Sequence, residues 1–379
     1  MAENGTDIKR ADRGRTLNGI LNALGQPFIA VAVSFIIGAV VILLSGYNPL
    51  EAYGIMFTGA FGSGYYLSST LSRATPIIMG GLAVCIAWRS GYEAMGGEGQ
   101  MIFGAMAAAL ICYYMPGPGI LRIVVALLAA ALVGAAYSVL SGWLWKRFNV
   151  TFIISTLMLN YIANYVCSYL TIYVFRGPES LDINATQTGK IEEGARLGRI
   201  FKGLSLHWGF VIALVCVVLV FVLLKKTVFG YQSKMNGLNF RFARYGGIDA
   251  TKMLYAVMIL SGVAAGLGGA FEALGSKYRY VDQMIFSTGY AWSGMVAALL
   301  ANFDPFGTTF ASILLAGLAT GGSAMQRSAG IPIETVKMLE GIIMLLMSVK
   351  LLRILSASRP RKRGIAETDS GSKEEVTEA

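Results

Sequence analysis

The residues best equipped for chemistry lie in one apolar stretch. Between Thr151 and Tyr173, Thr156, Asn160, Asn164 and Ser168 recur every four residues, and Tyr161, Tyr165, Tyr169 and Tyr173 repeat beside them. Residues four apart stack on one helix face, so this segment carries a polar stripe and a phenolic stripe side by side. Such groups can glue neighbouring helices by hydrogen bonds. They can equally line a passage that hydrogen-bonds a solute's hydroxyls and stacks on its rings. The residue types leave both readings open.

Other reactive groups point to less. Glu340 sits in an apolar run with Lys337 one turn before it and Glu334 at the run's end. An intramembrane carboxylate is a functional candidate, yet a Lys337–Glu340 pair at three-residue spacing explains it structurally. The single histidine, His207, has no acidic or cysteine neighbour in sequence, so neither a zinc site nor a histidine triad is indicated. Cys85, Cys112, Cys167 and Cys216 lie inside apolar runs at no metal or redox spacing and read as small packing residues. No G-x-x-x-x-G-K-S/T phosphate loop occurs, Gly275-Ser276-Lys277 lacking the spacing. No catalytic residue, metal or cofactor is therefore expected, and any ATP-driven role requires a separate subunit.

These side chains must be held by elements suited to lipid. Of 379 residues 55% are hydrophobic and 14% charged, against about 25% charged in soluble domains. A helix needs about 20 apolar residues to cross a bilayer. Apolar runs at about Pro27–Ser45, Ala74–Trp88, Met101–Met115, Leu121–Trp145, Thr151–Tyr173, Trp208–Leu224, Met253–Leu274, Tyr290–Ala301, Phe306–Ser323 and Val336–Leu352 predict an all-α membrane protein of about ten spans. The Gly- and Ser-rich stretch Leu50–Ser69 reads as an interfacial or re-entrant helix, and the span at Tyr290 is short. No cleavage pattern follows the first run, which reads as an uncleaved span.

The formal charge of +10 is scattered at the ends of apolar runs rather than gathered on a polar face, so it reads as membrane orientation and not nucleic-acid binding. Lys9, Arg10, Arg13 and Arg15; Arg89; Lys146 and Arg147; Lys225, Lys226, Lys234, Arg241 and Arg244; and Arg353, Arg359, Arg361, Lys362 and Arg363 all fall on one face of a ten-span chain. Both termini are then cytoplasmic. The opposite face carries the mixed-charge segment Arg176–His207, with Glu179, Asp182, Glu192 and Glu193 among Lys190, Arg196 and Arg199. The chain divides into an extension over 1–26, a membrane domain over 27–352 and a disordered cytoplasmic tail over 353–379. Tyr92-Glu93-Ala94-Met95-Gly96 is echoed by Phe271-Glu272-Ala273-Leu274-Gly275 five spans later, which would suit an inverted repeat. Gly262, Gly266 and Ala270 form a small-residue face for close helix packing. The connection Thr227–Thr251 mixes apolar and basic residues between glycines, and a short amphipathic helix there suits either an anionic leaflet or a groove in a partner protein.

Several motifs taken together resemble the permeases of bacterial ABC importers in the ribose and branched-chain amino acid group, most closely the nucleoside and simple-sugar branch. They are Arg73-Ala74-Thr75-Pro76 leading into Gly81-Leu82-Ala83; Gly96-Gly97-Glu98-Gly99-Gln100; the run Ile154 to Ala163; and Gly237-Leu238-Asn239 with Ala243-Arg244-Tyr245-Gly246-Gly247-Ile248. The resemblance spans about Asn48 to Leu352. It departs from the family at Glu93 and Ala94, where an apolar residue and an asparagine are usual, and at Ala301-Asn302-Phe303-Asp304-Pro305, where asparagines usually run.

The resemblance implies an inward-transporting subunit in a bacterial cell membrane, carrying nucleosides or, alternatively, a simple sugar such as ribose or galactose. It implies three partners: an ABC ATP-binding subunit, a second permease expected to differ from this one, and an extracytoplasmic solute-binding lipoprotein. It assigns the substrate pathway to Thr156, Asn160, Tyr161, Asn164, Tyr165, Gln100 and Glu98. It assigns ATPase coupling to Gly237, Asn239, Ala243, Arg244, Tyr245 and Gly247. A stand-alone secondary transporter or channel is the alternative of another class.

Overall fold

The computed structural model describes residues 31–178, 186–332 and 334–348. Among them every regular element is a helix, and the only extended pairings are isolated bridges of Gln187 with Val281 and Arg199 with His207. The order begins with α1 (Val31–Leu44). It continues with α2 (Pro49–Phe61), α3 (Gly64–Arg89), α4 (Gly97–Tyr114), α5 (Gly119–Phe148), α6 (Phe152–Tyr169) and α7 (Trp208–Lys226). Then come α8 (Val228–Leu238), α9 (Phe240–Tyr245), α10 (Ala250–Phe271), α11 (Tyr290–Leu300), α12 (Pro305–Ala329) and α13 (Glu334–Ser348). Wider π turns prolong α6 over Leu170–Val174 and α10 over Glu272–Lys277.

The chain is an all-α membrane protein. Among the described residues six helices are long and apolar enough to cross a bilayer: α3, α5, α7, α12, and α6 and α10 each with its π turn. A seventh results if α1 and α2, bent by 119° at Ser45–Asn48, count as one span. The remaining expected spans are the shorter α11 and α13, and α4, whose opening turn Glu98–Gln100 is polar. The α1–α2 bend makes the stretch after Leu50 either the second half of a broken span or a re-entrant element. Gly64–Ser69, however, belongs to α3, which starts ten residues before the expected Ala74. Hydropathy misses this turn because its polar groups are satisfied locally. Ser63 accepts from Tyr66 N–H at 3.3 Å, Ser68 Oγ donates to Tyr65 O, and Thr70 Oγ1 donates to Ala60 O.

Burial separates centre from periphery. In α3 89% of the apolar window is buried inside the fold, against 28% in α5 and α7, so α3 is core and the other two present broad faces outward. The core is built on close helix approach. A Cβ on Gly262 would sit 2.5 Å from Gly134 O, and one on Gly266 would sit 2.3 Å from Ala130 O. The small-residue face of α10 thus meets α5 backbone to backbone, as its spacing indicated. Lipid supplies no hydrophobic drive between helices, so contact density of this kind holds the bundle.

The described basic clusters gather at one end of the bundle. Lys146 Nζ donates to Thr251 Oγ1 at 3.1 Å, joining the ends of α5 and α10, and Lys225 pairs with Asp304 between α7 and α12. The clusters at Lys9–Arg15 and Arg353–Arg363 fall outside the described residues, as do Glu179, Asp182 and the side chain of Glu340. At the other end, the segment after α6 forms a cap. Arg122 pairs with Glu192 at 2.8 Å, and Arg196 and Arg199 lie over the Tyr278 ring. The five-residue echo takes two conformations, non-helical at Tyr92–Gly96 and helical at Phe271–Gly275, so it marks no shared local structure.

His207 begins α7 from within this cap. It is fully buried, and its Nδ1 accepts the Gly209 N–H at 3.2 Å. Burial pushes the imidazole down to about 4 from its ordinary 6.5. Unfolded chain takes up the proton near pH 6.5 and folded chain only near 4, so stability falls as pH drops through that window. In detergent, the thermal midpoint should fall between pH 7 and pH 4.5, and His207→Asn, which keeps a capping acceptor, should flatten that slope. For the helix contact, Gly266→Ala should cost about 1–3 kcal/mol of stability. Gly54→Ala, which meets nothing within 4 Å, should be tolerated in the same thermal assay.

Candidate functional site

The polar stripe of α6 turns inward and meets the start of α4. A helix N-terminus leaves four N–H groups without intrahelical partners. The cap residue of α4 is Gly96, which has no side chain to offer. Asn160 supplies the missing acceptor from across the interface. Its Oδ1 accepts Gly99 N–H at 2.9 Å, and its Nδ2 donates to Met95 O at 2.8 Å. Thr156 Oγ1 accepts Met95 N–H at 3.2 Å one turn away. Thr156, Asn160 and Asn164 are all buried. Thr156 and Asn160 therefore hold α4 to α6, while Asn164 Oδ1 and Gln100 Oε1 have no partner among the described residues.

This contact lies deep in the bundle. Asn160 is eight residues along α6 from Phe152, about 12 Å from the basic end at 1.5 Å per residue. The segment Ser90–Gly96 leaves α3 at that end and runs inward to reach it without helical hydrogen bonds of its own. Glu98 in the first turn of α4 then meets the first turn of α11. Its buried carboxylate accepts the Trp292 Nε1–H at 3.2 Å. Two helix N-termini converge there, each with N–H groups that lack intrahelical partners. Gly80, Val84, Ala94, Met95, Ala291 and Met295 complete a cavity of about 20 Å³ beside it, room for one water.

The phenolic stripe points the other way. Tyr165 is 68% exposed, and Tyr161, Tyr169 and Tyr173 are exposed with it. The Tyr161 ring meets Phe286 at 5.7 Å, edge to face. Trp292, 37% exposed, is also accessible. Ser168 donates a short hydrogen bond to Asp282 on the segment that carries Phe286. That segment is itself fastened to the cap, where Thr188 N–H donates to Tyr280 O at 2.9 Å and Asp282 N–H to Thr186 O at 2.9 Å.

At the basic end, α8 and α9 form a projecting hairpin. Asn239 caps α9 by accepting Phe242 N–H at 3.0 Å, and Gly246 and Gly247 turn the chain away. Ala243 is buried beneath, whereas Phe240, Phe242, Arg241, Arg244 and Tyr245 project outward, Tyr245 being 93% exposed. Gly237 crosses the end of α3 so closely that a Cβ there would sit 2.3 Å from Arg89 O.

Residues 66–348 match the family described as branched-chain amino acid transport system / permease component. The chain belongs to this family. The permease is 33% identical to the guanosine ABC transporter permease protein of Bacillus subtilis, over 86% of this chain and 94% of that relative. It is 30% identical to the glucose ABC transporter permease protein of Haloferax volcanii, over 86% of this chain and 87% of the relative. It is 29% identical to a nucleoside ABC transporter permease protein of Lactococcus lactis, over 92% and 96% respectively. No solved structure matches significantly.

The permease thus brings Glu98, Thr156 and Asn160 together, with Gln100 on the same α4 turn, and separates Tyr161 and Tyr165 from them on another face of α6. Gly237, Asn239, Ala243, Arg244, Tyr245 and Gly247 share one hairpin. Sequence reasoning missed Trp292, Phe286 and Asp282, because the run at Tyr290 reads only as a short span and gives no partner for Glu98. It also missed Ser233 and Asn236, polar positions on α8 that no motif marks. If Asn160 is structural glue, Asn160→Leu strands the Met95 carbonyl and the Gly99 N–H, at about 1–3 kcal/mol each. Thermal unfolding in detergent should show that loss, and Tyr165→Leu should leave the midpoint almost unchanged.

Proposed function

We propose that this permease is the membrane subunit of an ATP-driven importer that carries nucleosides, in the cytoplasmic membrane of a bacterium. The observation that carries the reading is the projecting α9 hairpin. It is an aromatic and basic surface, 93% exposed at Tyr245, on a chain whose sequence has no phosphate-binding loop. Such a surface suits insertion into a groove of a partner that hydrolyses ATP. Gly237, Asn239, Ala243, Arg244, Tyr245 and Gly247 are its coupling residues, with Arg244 and Tyr245 making the contact. The permease itself performs no catalysis.

The cargo reading rests on two supports. Curated relatives at 33% and 29% identity carry guanosine and nucleosides. The exposed aromatic faces of Tyr161, Tyr165 and Trp292, with half-buried Phe286 against Tyr161, suit a nucleobase, since base–aromatic stacking contributes about 1–3 kcal/mol per base. The exposed side of α6 faces a second permease subunit, and the passage runs between the two, with Glu98, Gln100, Thr156, Asn160 and Asn164 forming the wall behind the tyrosines. An extracytoplasmic binding lipoprotein delivers the cargo to the capped end. A glucose-carrying relative at 30% identity supports a second reading, in which the same aromatic faces pass a sugar.

Reconstituted with its ATPase, second permease and binding protein, the assembly should take up labelled guanosine, with unlabelled nucleosides competing and glucose or ribose not. Competition by sugars alone would favour the second reading. Arg244→Ala with Tyr245→Ala should weaken ATPase docking by about 2 kcal/mol, roughly thirtyfold, and abolish uptake while membrane insertion persists. Uptake by the permease alone, driven by an ion gradient and indifferent to ATP, would overturn the proposal.

A further inference from the structure

The hairpin and the start of α4 are joined by a stretch of chain that is fastened at Ser90, Tyr92, Ala94 and Met95. At its start, Asn236 Nδ2 on α8 donates to Ser90 O at 2.8 Å, and the Ser90 and Ser233 hydroxyls share a hydrogen bond. All three side chains are buried. Gly91, at φ 83°, lets the chain turn there, and a Cβ on it would sit 3.0 Å from the Gly237 Cα. Next, Tyr92 OH donates to Ala250 O at 3.1 Å, and Trp88 Nε1 donates to Ala94 O at 3.0 Å. At the far end Met95 is held by Thr156 and Asn160, and Glu98 by Trp292.

We propose that Ser90–Gly96 is a rigid strut carrying displacement of the α8–α9 hairpin to the N-terminus of α4 and the Glu98–Trp292 junction. Ser233 and Asn236 are the positioning residues that fix hairpin to strut. The inference rests on the reading of the hairpin as the ATPase contact. Its physical basis is that no part of the segment can slide alone. Sliding α8 away from α3 strands the Ser90 carbonyl and the Ser233 hydroxyl where little water reaches, while Ser90 Oγ keeps its bond to Ile86 O, and moving Met95 strands the groups that Asn160 serves. Backbone crossing at Gly91 and Gly237 leaves no slack to absorb a shift. Hairpin motion is therefore passed on as motion of the α4 start, which also touches α11.

The test measures ATP hydrolysis and nucleoside uptake on the same proteoliposomes of the complete assembly, so that it reads coupling rather than assembly. Ser233→Ala with Asn236→Ala should leave the ATPase bound and hydrolysing while uptake per ATP falls at least fivefold. Ser233→Thr, which keeps the hydroxyl, should retain coupling. Ser90→Cys with Ser233→Cys, oxidised to a disulfide, should retain uptake within twofold of its reduced form, because a strut stays attached throughout the cycle. Unchanged uptake per ATP in the alanine pair would overturn the inference, as would loss of uptake on disulfide formation, which would mean that the contact must open. If the alanine pair folds poorly, the disulfide comparison decides alone. A wild-type permease that binds no ATPase would instead overturn the docking reading, and the strut with it.

Discussion

A peptide group in hydrocarbon has no water to bond, and leaving it unpaired costs several kcal/mol. This permease nonetheless sends non-helical backbone deep into its bundle at Ser90–Gly96. Everything around that segment answers the resulting demand. Asn236 serves Ser90, Trp88 serves Ala94, and Thr156 with Asn160 serve Met95 and Gly99. A second non-helical run, Tyr278–Gly289, precedes α11 and is served by Thr186 and Thr188 from the cap. The irregular chain is tolerated only where other protein covers it.

The same constraint explains how the bundle divides its labour. α3 and α10 occupy the centre and approach their neighbours through glycine, which frees the interface from side-chain bulk and lets dispersion contacts accumulate. α5 and α7 present apolar flanks outward and hold few polar groups. Between these extremes, α6 does both. Its amides face protein, where Asn160 finds backbone partners, and its phenols face outward, where an aromatic body with a polar tip suits a wet or partner-lined surface.

Two surfaces follow from this arrangement, one at each level of the bundle. Trp292 lies at the junction of two helix N-termini while Tyr161 pairs with Phe286, and the basic hairpin lies at the end from which the strut departs. Their connection through one short segment, tied at Ser90, Tyr92, Ala94 and Met95, is the mechanical feature proposed for the fold. Long helices could bend or slide to absorb motion at one end, but a tied strand with glycine crossings transmits it.

The solvent of this protein was legible from composition, and most helices from the length of apolar runs. The clustering of Arg89, Lys146 and Lys225 at one end was legible too, because charge placement and hydrophobic length act locally along the chain. The periodicity of α6 established that its amides share one face and its phenols another. Only the tertiary structure decided which neighbour each face meets, since a repeat of four fixes direction relative to the helix axis and not to other helices. Tertiary structure also decided that α3 begins at Gly64, that α4 starts beside Thr156, about 6 Å along α6 from its first residue, and that Trp292 covers Glu98. Those outcomes depend on hydrogen bonds between residues far apart in the chain, such as Asn160 with Gly99 and Asn236 with Ser90, and no local pattern encodes them.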